Sequence, residues 1–482
     1  MAFAPEGSSG LKQILTIDLG TTYYKLCLFD HNGQVLAVRR AAPPIKIIDG
    51  IKYELDADGF CQALTTAIQE LGGELPNGLS DVSAICFATQ ANSFLLLDKQ
   101  DEPLTPIILW PDDRACPVEP AIKQLAQEKD FYRETGVAEM SGQFLCAKLL
   151  WLKNHQPDIW AQARRVCMIS DYLTLWMTGA HVTEAGMAAL SGLVDIQALG
   201  WRADACKAVG VPTDWLPRIV RAGSDMGEIK PEIATLLGLP GDCRYIVGCL
   251  DQYAGAIGAG NVHPGGVSET TGTVLASVRC AQRFSPEMPA GVFQGPGHDA
   301  DTWYQMVFGN TSANLLEAYR HNLPDKPEYD RMCAPAADLS PGADGLRLNR
   351  DDFSGTDRMF LHLTEKHTPA HRVRAILEGV ARALEEQLAA LTGDDPPTYI
   401  RSAGGAARSP LWLQIKSDMT GLTVQATACP EPTSLGAAIL AASRLQQVSP
   451  ADMADRWVRV RAEYQPQAHN QRAYRQAWPA AT

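Results

Sequence analysis

One short pattern occurs twice in this chain. Thr16-Ile17-Asp18-Leu19-Gly20-Thr21-Thr22 and Ser268-Glu269-Thr270-Thr271-Gly272-Thr273-Val274 each run as a strand into a glycine flanked by threonines, about half a chain apart. That distance argues against a short-period solenoid. It points to two α/β halves, each opened by a strand–Gly-Thr–strand hairpin, and 482 residues are enough for both. A glycine at a hairpin tip lets backbone N–H groups approach phosphate oxygens, and threonine hydroxyls add donors. The same tip also suits an ordinary hairpin with a capping aspartate.

The surrounding pattern is legible in pieces. Ile14–Leu19, Tyr23–Phe29 and Gln34–Val38, with the turn Asn32-Gly33, predict a β-meander. Phe60, Leu64, Ala67, Ile68 and Leu71 recur at helical spacing. Strands are expected at Val82–Ala88, Phe94–Leu97 and Ile107–Trp110. A mostly helical stretch is expected over 118–179, then a loop-rich one to 241. Arg244–Cys249 reads as a buried strand running into a small-residue helix that begins at Asp251. The longest helix is expected at Thr368–Leu391, with Pro369 in its first position and Gly393 ending it. A turn at 394–397 precedes a strand at Thr398–Arg401. Gly404-Gly405 then leads to a helix capped by Ser409 and ended by Gly421, and the last clear helix starts near Ser434.

Composition excludes several classes. Forty-two basic against 55 acidic residues leave a net charge of −13, so the basic stripe of a duplex-binding protein is missing and no nucleic-acid partner is expected. The 12 cysteines show neither C-x-x-C nor zinc-like spacing and read as small core hydrophobes in a reducing compartment. The first ten residues lack a signal-peptide core, and the most apolar run, Leu435–Ala442, is too short to span a bilayer. A cytoplasmic location without a membrane partner is expected. P-loop, G-x-G-x-x-G, H-E-x-x-H and G-x-S-x-G motifs are absent, so a nucleotide must be held another way.

Five further places could carry chemistry. Asp18, at a strand end, suits a magnesium ion held partly through water. Asp251 can accept a proton from a hydroxyl attacking phosphorus, or can simply start a glycine-rich helix. Gly404-Gly405-Ala406 allows close approach to a flat ring or a phosphate, and equally fits a plain strand-to-helix turn. Trp110-Pro111-Asp112-Asp113-Arg114 could contact a polyol or form a local ion pair. Gln90-Ala91-Asn92 could offer amides to sugar hydroxyls or make a loop turn.

The order of these motifs closely resembles the FGGY family of carbohydrate kinases, from about Ile14 to Ala442. Ile108–Arg114 and Lys148-Leu149-Leu150-Trp151-Leu152 are most similar to xylulokinases. The resemblance implies an α/β, actin-like ATPase (ribonuclease H-like) fold in two domains with an active-site cleft between them. The first domain is expected at 11–247 and the second at 248–482, with the last helices free to pack back on the first. It implies ATP and Mg²⁺, with Asp251 as catalytic base and Asp18 near the metal. Gly20, Thr21 and Thr22 would face the γ-phosphate, and Thr271, Gly272 and Thr273 the β-phosphate. Gly404, Gly405 and Ala406 would approach the adenosine, and Gly309 would line the nucleotide site. Gln90, Asn92, Asp112 and Gln252 are the sugar candidates.

The chain departs from the family at Ala91-Asn92, where glycerol kinases carry Arg-Glu and xylulokinases Met-His. Leu145 replaces a usual Ser, Thr or Pro, and Glu269 replaces a small or apolar residue. These departures leave the acceptor open. A ketopentose such as xylulose leads, with gluconate, glycerol or another polyol as alternatives, and a homodimer is carried as the candidate assembly. The competing reading is a sugar- or nucleotide-binding regulatory protein of the actin-like superfamily without efficient turnover.

Overall fold

Strand-forming residues dominate the start of the chain and fold as the predicted meander. The computed structural model describes residues 11–392 and 397–478. In it, β1 (Gln13–Leu19), β2 (Tyr24–Asp30) and β3 (Val35–Ala41) pair antiparallel in sequence order. The expected helix stop at Gly393, most of the turn after it and the first ten residues lie outside the described residues. β4 (Val82–Thr89) joins β1 in parallel, and a later strand, β6 (Arg244–Leu250), joins β4 in parallel. β5 (Asp225–Glu228) closes the edge antiparallel to β6. The resulting order is β5-β6-β4-β1-β2-β3.

The helix expected around residues 60–71 is α1 (Ala57–Gly73), capped by Asp56. Phe60, Leu64, Ala67, Ile68 and Leu71 are buried with Leu15, Ile17, Phe87 and Tyr245. At roughly 1.5–3 kcal/mol for each large apolar side chain, this one face anchors the helix.

The chain divides into two compact units. The first holds 11–258, 293–303 and 433–457, and the second holds the remainder. The helix that opens at Asp251, α3 (Asp251–Gly258), falls with the first unit, where one cut at 247/248 puts it with the second.

In the second unit β7 (Val267–Thr271) pairs antiparallel with β8 (Leu275–Ala281) and parallel with β9 (Tyr399–Ala403). β9 is parallel to β10 (Thr423–Thr427), and β11 (Val460–Tyr464) is antiparallel to β10. The order β8-β7-β9-β10-β11 thus repeats β2-β1-β4-β6-β5, with the same directions. This duplication is the actin-like ATPase architecture. The core of the second unit gathers around α4 (Pro369–Thr392).

Local pattern failed where pairing is distant or elements are short. The expected helical stretch contains a strand, Arg165–Met168, which pairs with Phe94–Leu97. The supposed loops before 241 contain the short helices Ala185–Ala189, Ala203–Val209 and Pro231–Leu237. The strand expected to reach Trp110 is ordered as strand only at Ile107–Ile108. Helices follow the presumed last one, at Pro450–Trp457 and Ala468–Ala477.

Candidate active site

Three neighbouring strands of the first unit end at one level. In the parallel registers Leu19 stands opposite Thr89, and Thr89 opposite Leu250. The next residues, Gly20, Gln90 and Asp251, therefore share the carboxyl edge of the sheet, where open α/β sheets hold their ligands. Gly20 is required by the hairpin, because a Cβ there would meet the Tyr23 carbonyl oxygen at 2.8 Å. Thr21 is partly exposed and Thr22 exposed.

Asp251 is partly buried, and its Oδ1 accepts from the Gln252 N–H at 2.7 Å. Burial pushes its carboxyl up to about 7, and the charge of Asp18 pushes in the same direction. A carboxyl poised there is matched to taking a proton near neutrality. α3 keeps its place through α6 (Pro432–Gln446). A Cβ on Gly436 would lie 1.8 Å from the Ala254 carbonyl oxygen, so the two helices touch backbone to backbone. The small residues after Asp251 serve that approach.

Gln90 is 7% exposed, and its Oε1 has no hydrogen-bond partner among the described residues. A buried, unsatisfied amide oxygen at a strand edge is ready for a ligand hydroxyl. Gln252 lies beside Asp251 and is partly exposed.

Asn92 also serves the loop itself. It sits at φ 60°, and its Oδ1 accepts from the Leu145 N–H at 3.0 Å. It thereby caps α2 (Leu145–His155), which carries no hydroxyl at its own N-terminus. Asn92 and Leu145 are linked by this cap, and the Asn92 amide nitrogen takes no part in it. Lys148, on the same helix, has no exposed surface and donates to the carbonyl oxygens of Asn92, Leu109 and Trp110 at 3.2, 2.7 and 3.2 Å. It ties both candidate sugar loops together.

Asp112 is corrected outright. It is fully buried, and its two oxygens accept from the Tyr53 N–H and from the Arg114 N–H, Nε and Nη2, all at 2.7–3.0 Å. The local ion pair is what the structure holds, so the carboxylate orients its loop and cannot reach a sugar.

In the second unit the hairpin tip is open. Gly272 and Thr273 are exposed, and nothing lies within 4 Å of a Cβ built on Gly272. Thr271 is corrected in part: its side chain is buried and its Oγ1 donates to Glu269 Oε2 at 2.7 Å, so only its backbone can serve a phosphate. Gly404 follows β9 at φ 83°, a conformation costly for other residues. Gly405 is exposed, whereas Ala406 is buried. Gly309 is partly exposed. Sequence reading missed Lys148 and Lys416 as organising residues. Their signal was a lone lysine on an otherwise buried helical face.

A magnesium ion fits this donor set. Asp18 is partly exposed, with Lys25 Nζ 3.5 Å from Oδ2. Among the described residues no group of three His, Cys, Asp or Glu side chains could hold a metal. Magnesium commonly takes one or two carboxylates and completes its shell with phosphate and water.

Residues 13–258 match the FGGY family of carbohydrate kinases, N-terminal domain, and residues 343–445 match its C-terminal domain. The gluconokinase of Bacillus subtilis (strain 168) is 26% identical over 451 residues, covering 89% of this chain and 86% of that one. The xylulose kinase of Escherichia coli (strain K12) is 29% identical over 415 residues, covering 84% of each. The structure of ligand-bound xylulose kinase from Lactobacillus acidophilus aligns with a TM-score of 0.87 at 24% identity, over 97% of this chain and 96% of that one. At that identity the alignment speaks for the fold.

Proposed function

Because the chain belongs to the FGGY family of carbohydrate kinases, we propose that it transfers the γ-phosphate of ATP to a hydroxyl of a ketopentose such as xylulose, with Asp251 as the base. That it is an ATP-dependent sugar kinase follows from the family. The acceptor and the residue roles are our reading. The observation that carries it is the Asp251 carboxyl at the strand edge, near neutrality and level with Gln90 and Gly20.

In this reading Gln90 Oε1 accepts from a sugar hydroxyl and Asn92 Nδ2 donates to another, with Gln252 beside them. Asp251 orients the attacking hydroxyl and takes its proton as the bond to phosphorus forms. The backbone N–H groups of Gly20, Thr21 and Thr22 in the first unit suit γ-phosphate oxygens, and those of Thr271, Gly272 and Thr273 in the second suit β-phosphate oxygens. Gly404, Gly405 and Ala406 approach the adenosine, with Gly309 nearby. Asp18 would hold magnesium, which would neutralise phosphate charge when bound. A ketopentose is favoured by the xylulose kinases among the similar proteins, while gluconate, glycerol or another polyol stay in the test. A cytoplasmic location agrees with the free state of the cysteines, most of them buried.

The test is ADP release across ketopentoses, aldonic acids, deoxysugars and short polyols. One sugar should stimulate release strongly, and Asp251→Ala should lower that rate by about 10²–10⁴-fold while nucleotide still binds. Release at the wild-type rate by this variant would remove Asp251 from the mechanism. Sugar-indifferent hydrolysis across the panel would favour a regulatory protein.

A further inference from the structure

Glu269 is buried beside the second hairpin, and Lys416 on α5 (Pro410–Thr420) pairs with it. Neither side chain has exposed surface, and Lys416 Nζ lies 2.7 Å from Glu269 Oε1. Nζ also donates to Thr271 Oγ1 at 2.8 Å, which donates in turn to Glu269 Oε2 at 2.7 Å. Ser402 Oγ donates to Glu269 Oε1. The Trp412 ring centroid lies 5.3 Å from the ammonium.

A buried ion pair seldom adds net stability over a well-packed apolar pair, so its position invites another explanation. Glu269 and Ser402 are register partners on β7 and β9. Thr271 lies two residues beyond Glu269, and Gly404 lies two beyond Ser402. One carboxylate therefore joins the strand ends that lead to the hairpin and to the glycine turn, and Lys416 ties both to α5. Ser312 Oγ donates to the Gly272 carbonyl at 2.9 Å and restrains the tip itself.

We propose that Lys416 and Glu269 are positioning residues for nucleotide: their buried pair fixes the spacing of the Gly272-Thr273 tip and the Gly404-Gly405 turn. It also keeps the Thr271 hydroxyl in the core, so that phosphate oxygens meet backbone N–H groups and Thr273. This inference rests on the kinase reading above and names what sets its nucleotide affinity.

The test is MgADP binding to the full chain by calorimetry without sugar, beside steady-state constants for ATP and for the stimulating sugar. Glu269→Asp keeps the charge but shortens its reach. It should fold and should raise the MgADP Kd and the ATP KM about fivefold or more, with sugar KM unchanged. Lys416→Met should raise both nucleotide constants about tenfold or more. Should Lys416→Met fail to fold, the charge-neutral Glu269→Gln/Lys416→Met double variant replaces it and should still bind MgADP about fivefold more weakly than wild type. Folded variants with wild-type MgADP affinity overturn the inference, as does an equal rise in the ATP and sugar constants, which marks general loosening. Wild-type protein that binds no MgADP overturns the kinase reading and this inference together. Wild-type binding with indifferent variants overturns the inference alone.

Discussion

Asp251 shows how burial sets a single side chain's chemistry. Its carboxyl is pushed up to about 7 first by burial and then by the charge of Asp18, while the Gln252 N–H opposes the shift. A base must be ionised, so sugar-dependent kcat/KM should climb with unit slope through about pH 7 and level off above it. Asp18→Asn removes a like charge and should move that limb to lower pH, along with slower turnover. A limb that stays in place would disconnect the two carboxyls. The same shift governs stability. The folded carboxyl keeps its proton to higher pH than the unfolded one, so its contribution is present at acid pH and declines as pH rises from the ordinary carboxylate range through about 7. Asp251→Asn should therefore be more stable than wild type by roughly 1–3 kcal/mol near pH 8, with the gap closing toward about pH 4. Urea unfolding at the two pH values measures it, and a pH-independent gap would contradict the assignment.

Among elements, α3 and α6 meet backbone to backbone at the site. Gly436→Ala would drive a methyl group into the Ala254 carbonyl, which lies 1.8 Å from the built Cβ. The helix that begins with Asp251 must shift to make room. Overpacking of this kind costs roughly 1–3 kcal/mol, and kcat should fall along with stability. Wild-type kcat in this variant would show that α3 tolerates movement. The loops on the other side of the strand edge are joined by α2, whose Lys148 is held down to about 7 by burial yet donates to three carbonyls. Much of this element structure was readable in advance. The meander, α1, β6 running into α3, and the Ser409 cap with Gly421 at φ 74° all follow from turn residues and local periodicity. The strand Arg165–Met168 did not, because its partner lies about seventy residues earlier in sequence.

For the whole molecule, the two cores lie in separate units, each under its own sheet. Ligands should accordingly leave distinct marks in hydrogen exchange. MgADP should slow exchange in 267–273 and 399–405, and the stimulating sugar alone should slow 89–92 and 251–252. The reverse pattern would interchange the proposed sites. Bound ligand also stabilises by mass action, about 2.7 kcal/mol at a hundred times its Kd. Among the described residues no helix is long and apolar enough to cross a membrane.

By itself the sequence determined the duplicated hairpins, the strand edge at which Asp251 starts a helix, and the glycines that such turns demand. These are local matters: a Cβ on Gly20 meets Tyr23 three residues away, and Gly404 needs its own positive φ. Only the tertiary structure decided what the polar side chains do. Asp112 turned to Arg114 and the Tyr53 N–H, Asn92 capped a helix 53 residues later, and Glu269 met a lysine 147 residues away. A buried polar group must find a partner wherever the chain brings one, and periodicity along the sequence carries no record of that meeting.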